Sequence, residues 1–114
     1  MVKRKIYDIM LFNNILAKLY EQQVNYPINI SYKLYKLKNE LDEIDNFMFL
    51  RWESLFGENF DTENFTEDEI LLYNSTLNVE IEVDLFKLSL NDIIDNDKVE
   101  ITMQEIQVID NFLR

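Results

Sequence analysis

The stretch from Ser31 to Trp52, SYKLYKLKNELDEIDNFMFLRW, contains neither glycine nor proline and repeats apolar residues at helical spacing. The repeat runs along Leu34, Leu37, Leu41, Ile44 and Met48, and it continues at Leu55. Steps of three and four predict one amphipathic helix with a heptad-like apolar seam. Asn29 or Ser31 can cap its first turn. Pro27 before it and Gly57 after it set its limits, which gives about 26 residues and a length of about 39 Å.

The residues before Pro27 predict another helix. Its apolar stripe consists of Ile9, Phe12, Leu16 and Leu19. Their spacing predicts a helix from about Asp8 to Gln23 with one buried face. Residues 2–6 alternate apolar and basic side chains, so they form either a short strand or a frayed end.

Two capping boxes indicate helices in the second half of the chain. In Thr66 with Glu69, and in Thr102 with Glu105, the hydroxyl and the carboxylate can satisfy free backbone N–H groups at a helix start. The first box opens a short third helix and the second opens a closing helix. Their apolar faces consist of Ile70, Tyr73 and Leu77 in the third helix and of Ile106, Ile109 and Leu113 in the closing one. Between them, residues 91–98 predict a loop or a single helical turn.

One segment has the alternation of a half-buried strand. Its apolar positions are Val79, Ile81, Val83 and Leu85, and the acids Glu80, Glu82 and Asp84 lie between them. A strand needs a partner for its backbone groups, and the candidates are residues 2–6 and residues 99–101. The first candidate is favoured electrostatically, because Lys3 and Lys5 can face Glu80 and Glu82 across the pair.

These elements predict a mainly α fold of the α+β class in a single domain spanning residues 1–114. We expect a helical hairpin with one long central helix, a short third helix, a small β element and a closing C-terminal helix. The apolar run near the N-terminus is interrupted by Asp8, Asn13 and Asn14, so we expect no signal peptide. The net charge of −11 repels anionic membranes, so we expect no membrane partner.

Composition excludes several kinds of chemistry. The chain has no cysteine and no histidine, so thiolate chemistry, disulfides and the commonest general base and metal ligand are absent. A single glycine cannot build a phosphate-binding loop. We therefore expect no enzyme activity, no cofactor and no metal.

The charge is uneven along the chain. Residues 1–40 hold seven bases and three acids (7 − 3 = +4), whereas residues 41–114 hold four bases and nineteen acids (4 − 19 = −15). This balance disfavours direct binding to nucleic acid. A candidate acidic surface consists of Glu80, Glu82, Asp84, Asp92, Asp95 and Asp97. It leaves open an alternative function, an acidic DNA mimic that inhibits a nucleic-acid-binding or defence protein.

Aromatic side chains are concentrated at the end of the long helix. Phe47, Phe49, Trp52 and Phe56 surround the helix axis instead of keeping to one stripe. A helix that is apolar all round must be covered on all sides, either by its own chain or by another. Aromatic residues are also the usual anchors of interfaces. These four residues are the candidate interface, and the intrachain core is the other interpretation.

The chain resembles a group of small tailed-phage proteins. The residues that carry the resemblance are the Pro-x-Asn-x-SYKL-x-KL start of Pro27 to Leu37, Phe56-Gly57, Tyr73 to Asn78, the VEIEV of Val79 to Val83, and Thr102 to Ile106. Asn29 stands where a basic residue is more usual in the group, a difference that affects only the helix cap. The resemblance covers nearly the whole chain but brings no catalytic residues with it.

The resemblance implies a phage gene product of the particle or of its assembly. We therefore expect a non-enzymatic protein that acts through protein–protein contacts, as a minor virion component or as a capsid or tail assembly factor. Its partners would be other phage structural proteins or copies of itself, which includes a homo-oligomer. It would be found in the virion or in the host cytoplasm.

Overall fold

The computed structural model describes all 114 residues and confirms the mainly α, α+β fold. Its elements are β1 (Val2–Lys5), α1 (Ile6–Glu21), α2 (Ile28–Phe56), α3 (Glu67–Leu77), β2 (Glu80–Val83), α4 (Leu90–Ile94) and α5 (Met103–Leu113), with a 3-10 turn at Thr62–Asn64. None of the five helices has both the length and the apolar character that crossing a membrane requires.

The helix at the centre of the core is α1, although α2 is longer. Seven of its sixteen residues are buried, and α2 and α5 pack against different parts of its surface. Phe12 of α1 stacks on Phe112 of α5 with 4.2 Å between ring centroids. Ile6 near the start of α1 packs with Met48 and Trp52 near the end of α2, so these two helices form an antiparallel hairpin.

The long helix α2 has 29 residues, or about 43 Å at 1.5 Å per residue. Gly57 ends it with φ of 99°, a backbone conformation that favours glycine and that confirms the expected stop. The predicted cap at Asn29 or Ser31 is wrong. The helix begins earlier, because the carbonyl of Pro27 already accepts the N–H of Ser31 at 2.9 Å, and no side chain caps this end.

The predicted pairing of the first residues with the acidic strand is confirmed. β1 and β2 are antiparallel, with Lys3 opposite Glu82 and Lys5 opposite Glu80. The alternative partner, residues 99–101, forms no strand. Its backbone is instead bound by the side chain of Gln22, whose Oε1 accepts the N–H of Glu100 at 3.0 Å.

Local capping determines where the shorter helices begin. The boxes at Thr66 and Thr102 are both present as predicted. A third box joins Ser89 to Asp92 and opens α4 within the region where we expected a loop or a single turn. The acidic residue of this box is Asp92, whereas Glu or Gln is usual at that position, so the sequence signal is weaker.

Arg4 ties β1 to the end of α5. Its Nε donates to the carbonyl oxygen of Phe112 at 2.8 Å, and its guanidinium also donates to the carbonyl of Arg114. A cation beside the last carbonyls of a helix stabilises the negative end of the helix dipole. The first and last elements of the chain are therefore held together.

Phe12 lies where α1 meets α5, so its removal tests the architecture. Phe12→Ala leaves a cavity beside Phe112, and we expect the free energy of unfolding to fall by about 3–5 kcal/mol. Urea denaturation followed by Trp52 fluorescence measures this change. Tyr7→Ala, at a residue of the same helix that is 51% exposed, should change the free energy by less than about 0.5 kcal/mol. Equal losses in both variants would contradict this packing.

Candidate interaction surface

The four candidate interface residues at the end of α2 have different surroundings. Phe47 and Phe49 are 62% and 49% exposed, whereas Trp52 is only 4% exposed. Phe56 is half-buried. Trp52 thus belongs to the core of its own chain, and Phe47 and Phe49 are available to a partner.

Trp52 is covered by α3. Its Nε1 donates a hydrogen bond to Oγ1 of Thr76 at 2.9 Å, and its ring lies 4.9 Å from that of Tyr73. The amphipathic ring of tryptophan is buried most favourably when its N–H finds an acceptor, as it does here. This contact explains why a short helix with no fully buried residue of its own keeps its place.

Phe56 is covered by the connection between α2 and α3. Phe65 approaches it with 4.5 Å between ring centroids and Phe60 with 6.1 Å. The sequence of residues 58–66 is mostly polar, and its two phenylalanines are the residues that fold back over the helix end. Phe60 also lies 5.8 Å from Phe49 and covers part of that ring. The chain therefore encloses one side of the aromatic end.

The opposite side of the same helix end is uncovered. Phe47 and Leu50 are one helical turn apart, and they are 62% and 58% exposed. Their positions on the helix direct them away from the Trp52 side. We call this pair the exposed apolar pair. Leu71 on α3 is a further large apolar residue with 68% exposure.

The part of the chain that carries this pair is strongly acidic. Residues 42–69 contain ten acids and one base, Arg51, a net charge of 1 − 10 = −9. The exposed apolar pair thus belongs to a segment in which acids outnumber bases ten to one.

The candidate acidic surface is less uniform than its sequence pattern. Glu80 and Glu82 are exposed, but they lie opposite Lys5 and Lys3 in the sheet. Asp84 accepts the N–H of Phe86. Asp92 caps α4, whereas Asp95 and Asp97 are exposed. Four of the six thus face a lysine or accept a backbone N–H group.

The structure also contains a partly buried polar cluster between α1 and α2 that the sequence patterns did not indicate. Asn13, which is 4% exposed, donates from Nδ2 to Oδ1 of Asp42 at 2.9 Å and to Oδ2 of Asp45 at 2.6 Å. Lys38 donates to Oδ1 of Asn13 at 2.9 Å and to Oδ1 of Asp42 at 2.7 Å. We call these four residues the polar clamp. A visible signal was an asparagine in an otherwise apolar stretch of helix.

The pKa values of the two carboxylates of the polar clamp are shifted in opposite directions. Burial raises the pKa of Asp45, and the nearby charge of Asp42 adds to this, although the hydrogen bond from Asn13 opposes it. Burial also acts to raise the pKa of Asp42, but hydrogen bonds from Lys38 and Asn13 and the charge of Lys38 lower it overall. Oδ1 of Asp45 is buried without a hydrogen-bond partner, which is consistent with the raised pKa.

Comparisons with protein-family models, curated proteins and solved structures yield no match to this chain.

The bond between Trp52 and Thr76 can be tested by an isosteric change. Thr76→Val keeps the shape but leaves the indole N–H unpaired, so we expect a loss of about 1–3 kcal/mol in the free energy of unfolding. Urea denaturation provides the measurement. Ser75→Ala is the matched control, because its hydroxyl bonds only to the carbonyl of Leu72 in its own helix. A Thr76→Val protein as stable as the control would show that this bond does not hold α3.

The polar clamp predicts a pH dependence of stability with a definite sign. Between the ordinary pKa of 3.8 and the raised pKa of Asp45, the folded state binds more protons than the unfolded state. The contribution of Asp45 to the free energy of unfolding therefore falls as pH rises through that interval. We expect Asp45→Asn to gain stability relative to the original chain between about pH 3 and pH 7 in urea denaturation.

Asp42→Asn is the matched control for this measurement. Because the pKa of Asp42 is lowered, its contribution is present above 3.8 and is lost as pH falls through the lower folded pKa. The variant should therefore lose stability relative to the original chain as pH rises. The same sign in both variants would contradict the described geometry.

Proposed function

We propose that this chain is a non-enzymatic protein that acts through protein–protein contacts, as a minor virion component or as a capsid or tail assembly factor of a phage. The observation that supports a protein–protein contact is the exposed apolar pair, Phe47 and Leu50, on the side of α2 that the rest of the chain leaves uncovered. The phage context comes from the resemblance of the sequence to small tailed-phage proteins.

The energetics of the exposed apolar pair favour an interface. Burying a phenylalanine or leucine side chain contributes about 1.5–3 kcal/mol relative to leaving it in water. Interfaces concentrate their binding energy in a few such anchors, which lie one turn apart when they belong to one helix. Phe47 and Leu50 lie one turn apart on α2, whose other side packs on α1.

The charge around the pair indicates the chemistry of the partner. Residues 42–69 carry a net charge of −9, and an acidic segment of this kind attracts a basic protein surface and repels an identical acidic one. Such contacts associate quickly and weaken as salt screens them beyond about 8–10 Å. The proposed partner is therefore a basic structural protein of the particle.

A non-enzymatic role is supported by the polar groups themselves. The sequence lacks histidine and cysteine. The polar clamp directs its hydrogen bonds among its own members, which is typical of a cluster that aligns two helices. Trp52, Phe56 and their neighbours then act as the support for the exposed pair.

Removing the apolar anchors should abolish binding without unfolding the chain. We expect the double change Phe47→Gln and Leu50→Gln to weaken binding to basic virion proteins at least about tenfold, because two buried anchors are lost. Glutamine keeps the helix propensity. Biolayer interferometry against the purified virion proteins of the phage measures affinity, and thermal melting confirms that the variant is folded.

Tyr32→Gln is the matched control, since Tyr32 is a 57% exposed aromatic residue of the same helix far from the pair. It should bind like the original chain. If no virion protein binds, and mass spectrometry finds the chain neither in particles nor in assembly intermediates, the proposal is wrong. Displacement of DNA from a host protein by both the original chain and the double variant would instead identify the DNA mimic.

A further inference from the structure

A cleft with a volume of about 690 Å³ opens between the end of α1, the connection to α2 and the first half of α2. Leu16 and Leu19 of α1 and Leu34 of α2 form its apolar base. Tyr20 and Tyr35 stand at its rim. A cleft of this size is in the range of small-molecule sites.

The two rim tyrosines are unusually free. Tyr20 is 81% exposed and Tyr35 is 62% exposed, and neither side chain takes part in an intrachain hydrogen bond. Tyr26, which also lines the cleft, is fixed by the hydrogen bond that its hydroxyl donates to the carbonyl of Ile93 at 2.7 Å. The cleft therefore has one anchored tyrosine and two whose ring faces are available for stacking.

The cleft has no uncompensated charge. Its charged side chains are Lys38 and Asp42, and they form an ion pair at 2.7 Å. A charged ligand would be moved out of water without a free counter-ion, which is unfavourable. A neutral ligand therefore fits this cleft better than a charged one.

Several polar groups in the cleft have no partner in the chain. The side-chain amides of Gln23, Asn25 and Asn39 line it and make no intrachain hydrogen bond. Both hydrogen bonds to Asp42 go to Oδ1, which leaves Oδ2 as a free acceptor.

The geometry points to a binding site for a neutral saccharide of one to three rings in this cleft. The apolar faces of the sugar rings stack on Tyr20 and Tyr35, and their hydroxyls pair with the free amides and with Asp42. A hydrocarbon would leave those amides unpaired on burial, and a linear polyol has no flat face for the tyrosines. This site is in the first half of α2, and it does not depend on the exposed apolar pair.

The test is an NMR titration of the ¹⁵N-labelled full chain with three probes: maltose, cellobiose and N,N′-diacetylchitobiose. We expect at least one probe to give saturable shift changes concentrated at the cleft residues. Sorbitol, which has the hydroxyls but no ring, is the matched control and should give no saturable change.

Substitutions at the cleft then test which residues contact the saccharide. Tyr35→Ala and Asn39→Ala should each weaken the binding by about tenfold, and neither residue is buried. Tyr32→Ala removes an exposed tyrosine three positions away that does not line the cleft, so its affinity should be unchanged.

Four outcomes would overturn this inference. They are the absence of saturable shifts with all three disaccharides, equal shifts with sorbitol, an equal loss in Tyr32→Ala, and tighter binding of uridine or of a proline-rich peptide to the cleft. Any of them would leave the proposed protein contact untouched, because Phe47→Gln with Leu50→Gln tests a different surface.

Discussion

The 29-residue helix α2 is about as long as the whole molecule, whose longest dimension is 45 Å. The rest of the chain therefore covers it on one side only. That side carries Leu37, Leu41, Met48 and Trp52, all buried, and α1 runs antiparallel along it. The residues on the other side of α2 remain exposed, whether they are polar or apolar. Apolar side chains on that side are exposed because a small domain cannot surround one helix as long as itself. Exposed apolar residues of this kind are potential contact sites for another molecule.

Two kinds of interaction hold α2 to the rest of the chain. Aromatic packing dominates at the end of α2, where Trp52 and Phe56 are covered by α3 and by the connection before it. In the middle, the apolar contacts of Leu37 and Leu41 are joined by polar bonds, because Asn13 of α1 binds Asp42 and Asp45 of α2. Apolar packing tolerates small slips between helices, whereas a buried amide shared by two carboxylates has one favourable position. The polar clamp therefore sets how the hairpin helices align.

The two proposed sites occupy different halves of α2 and differ in chemistry. The exposed apolar pair lies in an acidic segment of the chain, and we propose that it binds a basic protein surface. The cleft between α1 and α2 has a neutral ion pair, free amides and two uncovered tyrosines, and it favours a neutral saccharide. One long helix covered along one side can thus present two separate surfaces.

Much of the fold was determined by local sequence signals. Pro27 and Gly57 limit α2, the boxes at Thr66 and Thr102 start α3 and α5, and the alternation of apolar and charged residues marks β1 and β2 as strands. Each of these signals acts between near neighbours, so it can be read without coordinates. Other features required contacts between residues distant in the chain. Burial of Trp52, the bonding of Asn13 to α2 and the cleft beside Tyr35 depend on how helices approach one another, and only the tertiary structure decides that distance.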